Sequence, residues 1–256
     1  MIELELPVGA AGATRLVLRE LRGADELALE AAGGVSTRAA VMRLLSCLVV
    51  PAAGCVSVEA LGDLSCAERD RALAALYEDR FGARIEARIG CAACGTACEL
   101  GFDLRELLAA RPLRIPASGR VAVGPGWARP PSVREAELVH GAPAHERAAR
   151  LRRLSVDDGG GPALDDAAID AALESAAPLL DVDLDARCAA CGASSVVRFE
   201  IAAWLARAVL RERPVLLREV HVLARAYGWS LHSILELPRS QRQMLVGLAM
   251  PASVGA

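Results

Sequence analysis

The sequence predicts an α+β protein in which two repeated helix–strand–zinc knuckle–strand–helix modules form a split zinc ribbon, followed by a C-terminal three-helix segment. Three observations lead there. The pentapeptide CAACG occurs twice, at Cys91–Gly95 and at Cys188–Gly192, an offset of 97 positions. Alternating, strand-like stretches flank both copies: ARIEARIG and CELGF around the first, LLDVDLDAR and SSVVRFE around the second. Beyond Pro214, apolar residues recur at helical spacing, with Leu216, Val220, Leu223, Ala224 and Tyr227 forming one stripe.

Taken in order, residues 1–62 read as a β-hairpin (IELELPV, a Gly/Ala-rich turn, RLVLREL) followed by helices from about Ala24 to Ala32 and from Thr37 through Val49. The first knuckle module spans 63–110. Ser65 with Glu68 makes an S-x-x-E capping box that opens a helix to about Tyr77. Asp103 with Glu106 starts the helix DLRELLAA after the knuckle. Residues 111–163 form a variable connection: short strands in RPLRIP and RVAVGP, a loop at GWARPPS, a helix at HERAARLRRL and a flexible DDGGGP. The second module, 164–212, repeats the order, with a helix at Leu164–Ala176, the hairpin, and a helix from Ile201 to Leu210. At the same offset Ile85 matches Val182, Phe102 matches Phe199 and Leu104 matches Ile201. The C-terminal helices occupy 213–256.

Composition excludes several function classes. The chain has no lysine, so it holds neither a Walker-type phosphate loop nor a Schiff-base lysine. Its net charge of −3 offers no bulk attraction to nucleic acid or anionic membrane. The acidic, alternating start MIELELPVG does not read as a secretory signal, and the apolar run Leu44–Val58 is broken by Pro51 and Gly54. A cytoplasmic protein is expected, where thiols stay reduced and paired cysteines serve as metal ligands or catalytic groups.

Zinc takes four thiolates in a tetrahedron, and a Cys-x-x-Cys turn supplies two of them. The glycine that follows tolerates the left-handed backbone of such a turn. Cys91, Cys94, Cys188 and Cys191 are therefore the expected ligands of one structural Zn²⁺, with no open position for catalysis. Cys98 has Ser195 as its counterpart and is left out; with Cys47, Cys55 and Cys66 it is read as a small core residue. A thiol oxidoreductase is the weaker reading, because redox motifs sit where a strand enters a helix.

The alternating acids Asp181, Asp183 and Asp185 read as an exposed strand face. His140 and His145 lie in a polar stretch without a partner nucleophile, and His221 and His232 on helices. No catalytic motif appears in a usable context, so no enzyme is expected. The alternative is a zinc-ribbon regulator binding nucleic acid through a helix-turn-helix, since Ala224, Gly228 and Ile234 have that spacing. The would-be recognition helix SLHSILEL opposes it, with Glu236 and no arginine, glutamine or asparagine.

The stretch LLREVHVLARAYGWSLHSILELPRSQRQMLVGL resembles the closing segment of baseplate proteins from contractile phage tails and related injection systems. More narrowly, it is similar to the T-even-type baseplate hub assembly chaperone family. Its marks are the L-x-R-E-V-H opening, Tyr227-Gly228-Trp229, and the L-P-x-x-x-R turn through Leu237, Pro238 and Arg242. LRELRGADELALE and the two C-x-x-C-G knuckles extend the likeness upstream, although alanine follows the first cysteine where the family often has proline. The resemblance implies a non-enzymatic assembly role, with baseplate or hub proteins as partners and a place in the cytoplasm or in the particle. Tyr227 and Trp229 are the expected partner anchors, with a purely structural role in the turn as the competing reading.

Overall fold

The computed structural model describes residues 1–10, 12–30, 36–156 and 164–249. The fold is a mixture of helices and small strand pairs. In chain order the elements are β1 (Ile2–Ala10), β2 (Ala13–Leu18), α1 (Gly23–Glu30), α2 (Thr37–Leu48), a 3-10 turn (Glu59–Asp63), α3 (Cys66–Phe81), β3 (Arg84–Gly90), β4 (Ala97–Asp103) and α4 (Leu104–Ala110). Then come β5 (Val121–Val123), β6 (Gly126–Ala128), α5 (Val133–His140), α6 (Ala144–Ser155), α7 (Asp166–Ala176), β7 (Asp181–Arg187), β8 (Ser194–Glu200), α8 (Ile201–Arg211), α9 (Arg213–Tyr227), α10 (Leu231–Leu235) and α11 (Arg239–Ala249). Among the described residues every sheet has two strands: β1–β2, β3–β4, β5–β6 and β7–β8.

The chain divides into two compact units, neither a single run of sequence. One comprises Met1, Leu18–Leu48 and Ala202–Ala256; the other comprises Ile2–Val17 and Val49–Ile201. Packing thus groups the five sequence segments differently from their order along the chain.

In the unit that holds both knuckles, α3 is the central element. Its capping box forms as expected: Ser65 Oγ accepts from the Glu68 N–H, and the Glu68 carboxylate accepts from the Ser65 N–H. The Glu68 side chain is fully buried because its other oxygen accepts the N–H groups of Val8 and Gly9, at 2.9 and 2.8 Å. Asp70, also buried, receives Arg69 on one oxygen and the Leu180 N–H on the other, which ties α3 to the start of β7. The helix runs on to Phe81, past the expected stop near Tyr77, and ends at Gly82.

The region 111–156 departs from expectation. RPLRIP forms no strand, and Val121–Val123 pairs with Gly126–Ala128, inside the stretch read as a loop. Val133–His140 is a helix beyond those expected from the sequence, opened by a second S-x-x-E capping box at Ser132 and Glu135. DDGGGP, the end of the first predicted helix beyond Glu30 and the Gly/Val-rich stretch before Ser36 lie outside the described residues.

The other unit packs α1, α2, the body of α8 and α9–α11 around fully buried Leu45, Leu48, Leu205, Leu223 and Ile234. At its centre is a charged group. Arg242, with no exposed surface, donates from Nε to Glu219 (2.9 Å), from one terminal nitrogen to Glu26 (2.8 Å) and from the other to the Leu237 carbonyl (2.8 Å). Glu219 lies in the L-x-R-E-V-H stretch and Arg242 closes the L-P-x-x-x-R stretch, so each of these marks supplies one half of a buried ion pair.

Candidate metal centre

β3–β4 and β7–β8 are antiparallel hairpins whose tips carry the two CAACG turns. Their backbones are closed in the same way. Cys91 N–H donates to the Thr96 carbonyl (2.9 Å) and Gly95 N–H to the Cys91 carbonyl (2.8 Å). Cys188 N–H donates to the Ala193 carbonyl (2.9 Å) and Gly192 N–H to the Cys188 carbonyl (2.9 Å). Gly95 and Gly192 take left-handed φ values of 73° and 75°, which explains glycine after each second cysteine. Phe102 of β4 packs edge-on against Phe199 of β8, centroids 5.1 Å apart. This contact holds the two hairpins together at their bases.

At the tips, the four sulfurs of Cys91, Cys94, Cys188 and Cys191 lie within 4.8 Å of one another. Cys91 to Cys191 and Cys94 to Cys188 are each 3.7 Å, so the close pairs run between the hairpins. A disulfide needs sulfurs about 2.0 Å apart. A tetrahedron of sulfurs about 2.3 Å from a central ion has an edge of about 3.8 Å. The arrangement therefore matches a metal cage and not a pair of disulfides. Cys91 and Cys188 are buried, whereas Cys94 and Cys191 face solvent.

No family model, curated protein or solved structure matches this chain.

Electrostatics at the tips point the same way as geometry. The backbone N–H groups of Cys191 and Ala190, helped by the Cys98 thiol, hold the Cys188 thiol down to about 6. The hydroxyl and backbone of Thr96 lower Cys94. Cys191 receives a favourable backbone contact from Ala193, but the neighbouring Cys94, Cys188 and Cys91 push it up to about 12. The surroundings thus favour ionisation at Cys94 and Cys188 while crowding of sulfurs opposes it at Cys191. A bound cation removes that conflict. The four thiols could thus hold a metal such as zinc.

The remaining sequence candidates are placed as follows. Tyr227 and Trp229 stack at 5.0 Å on either side of Gly228, whose left-handed backbone ends α9. Each ring remains about two-fifths exposed, and the Tyr227 hydroxyl reaches the Leu245 carbonyl of α11 at 3.5 Å. His140, His145, His221 and His232 are all exposed. Of the four cysteines read as core residues only Cys66 is buried; Cys47 is exposed and Cys55 and Cys98 are intermediate. Cys47 sits on the outer side of amphipathic α2, and Cys98 lies beside the metal cage, where its hydrogen bond to Cys188 raises its own titration. Asp183 and Asp185 are exposed on β7 while Asp181 pairs with Arg198, as an outward strand face requires. Among the described residues no helix is long and apolar enough to cross a membrane.

Proposed function

We propose that the chain is a non-enzymatic, zinc-stabilised assembly protein of the baseplate or baseplate hub of a contractile phage tail or related injection system. The observation that carries this reading is the closed set of four thiols contributed by two hairpins far apart in sequence. A metal with four protein sulfurs keeps no position for water or substrate, so its work is structural. Zinc, the tetrahedral thiolate metal, suits the donor set, and the two hairpins become the halves of one split zinc ribbon. Structural zinc contributes on the order of 10 kcal/mol to the fold it closes. The C-terminal segment supplies the setting through its resemblance to hub assembly chaperones. There Tyr227 and Trp229 offer exposed aromatic surface of the kind that anchors protein partners.

Two experiments test the two halves of this reading. Metal analysis of the purified chain is expected to give one zinc, lost in Cys91→Ser and in Cys188→Ser; two per chain, or none, defeats the clasp. Co-expression with hub and baseplate proteins from the same gene cluster is expected to give a stable complex that Trp229→Ala weakens without lowering the melting temperature. Loss of stability without loss of binding assigns Trp229 to the turn alone.

The nucleic-acid alternative gains nothing from α10, which has only five residues and buries Ile234. Its exposed face is too short to lie along a major groove. Salt-sensitive, sequence-preferring DNA binding in a gel shift would overturn the assembly reading.

A further inference from the structure

A cavity of about 580 Å³ opens between the start of α3, the Pro130–Pro131 turn, α6 and α7. Ala67, Pro131, Leu151, Leu173 and Leu179 make its walls apolar. Its size falls within the roughly 300–1,000 Å³ typical of sites that enclose small ligands. Neither the metal cage nor the aromatic pair uses it.

Two buried polar side chains stand in this lining. Cys66 is the first residue of α3 and 7% exposed; its thiol donates to the Ser132 carbonyl at 3.6 Å. Ser155 is 1% exposed, and its hydroxyl has no hydrogen-bond partner among the described residues. A buried hydroxyl without a partner is costly, and a ligand oxygen placed in the cavity would relieve it.

The rim chooses among ligand headgroups. Arg152 is paired with Asp166 and Asp170, and Glu174 with Arg111, leaving three acids against two arginines. A free carboxylate would meet net negative charge, whereas a neutral carbonyl would not.

An aliphatic wall, a thiol in the lining and an unused hydroxyl donor together describe one ligand class. We propose that Cys66 is an S-acylation site, loaded from a long-chain acyl thioester whose aliphatic tail lies in this cavity. The Cys66 sulfur attacks the thioester carbonyl carbon, and a new carbon–sulfur bond forms as the bond to the leaving thiol breaks. The Cys66 proton passes to the departing sulfur, so the exchange needs no oxidant or reductant. The cavity's part is to hold the chain beside the sulfur, which raises the local concentration of the reacting group. The better exposed Cys47, Cys55 and Cys98 serve as internal controls, since none of them lines this cavity and the one beside Cys47 holds only about 120 Å³. This inference stands apart from the assembly role.

The test is incubation of the purified full-length chain with palmitoyl-coenzyme A, read by intact mass and peptide mapping. The expected product carries one hydroxylamine-labile acyl group on Cys66 and is absent in Cys66→Ser. Ala148 and Ala171 line the cavity from solvent-exposed positions, so Ala148→Phe with Ala171→Phe narrows it without entering the core. That variant is expected to be acylated at Cys66 at least tenfold more slowly, with unchanged melting temperature and zinc content. Acetyl-coenzyme A is expected to show no preference for Cys66. The proposal is overturned by no acylation, by equal labelling of Cys47, Cys55 and Cys98, or by an undiminished rate in the double variant.

Discussion

Replacing Arg242 with alanine removes the guanidinium that bridges two buried carboxylates. Glu26 and Glu219 are 6% and 5% exposed, and each accepts a guanidinium hydrogen bond from Arg242, at 2.8 and 2.9 Å. Charge-assisted hydrogen bonds contribute about 1.5–3 kcal/mol each. Two of them together reach the roughly 3–5 kcal/mol that loss of one partner costs in buried ion pairs. The Leu237 carbonyl loses its donor as well. In a chain of this size the expected fall in melting temperature is on the order of 10 °C. The assay is urea denaturation of wild type and Arg242→Ala, followed by tryptophan fluorescence and far-ultraviolet circular dichroism. A companion variant separates charge from packing. Arg242→Met with Glu26→Leu and Glu219→Leu removes all three charges together and is expected to recover most of the loss. If the triple variant is as unstable as Arg242→Ala, the cost lies in lost packing and the argument from uncompensated charge is wrong. If Arg242→Ala itself costs less than about 1 kcal/mol, water reaches the site and the burial is illusory.

Other consequences follow from the same contacts. Gly95→Ala and Gly192→Ala meet no atom within 4 Å of the added carbon, so each should cost only the left-handed backbone penalty of about 1–2 kcal/mol, with zinc retained on metal analysis. Gly9→Ala should be far worse, since its new carbon would lie 1.8 Å from the Ala13 carbonyl oxygen; an expression and melting comparison with Gly95→Ala checks the contrast. The Arg129 guanidinium and the Ser132 N–H lower the Glu135 carboxyl from 4.5 to about 2. A depressed folded-state value means that its stabilisation is present above about 4.5 and fades as pH falls towards about 2. The Glu135→Gln deficit, about 1 kcal/mol after allowance for solvent screening, should therefore shrink over that window in pH-dependent denaturation. Acid should also release the metal, because protons compete for the four sulfurs; a chromogenic zinc indicator measures it, and retention below pH 4 argues against thiolate ligation.

The local order of the chain was legible because it depends on local physics. Alternation marked β3, β4, β7 and β8, the S-x-x-E signature marked the start of α3, and glycine after each Cys-x-x-Cys marked a left-handed turn. The repeat itself pointed to the four sulfurs as one group, since two half-sites on matching hairpins need each other to complete a tetrahedron. The same signature at Ser132 and Glu135 was available for α5, but adjacent prolines and a short apolar pattern hid it. What only the tertiary structure decided are the contacts between residues distant in sequence. Glu68 looks like a helix cap, yet its second oxygen holds β1. Glu26, Glu219 and Arg242 look like surface charges on amphipathic helices, yet they meet with almost no exposed surface. Cys66 looks like any small core residue until α6 and α7 leave a cavity beside it. Hydrophobic period and turn chemistry act over a few residues and can be read along the chain. The partner of a buried charge, and the empty space beside a buried sulfur, depend on which helices come together, and no local pattern specifies that.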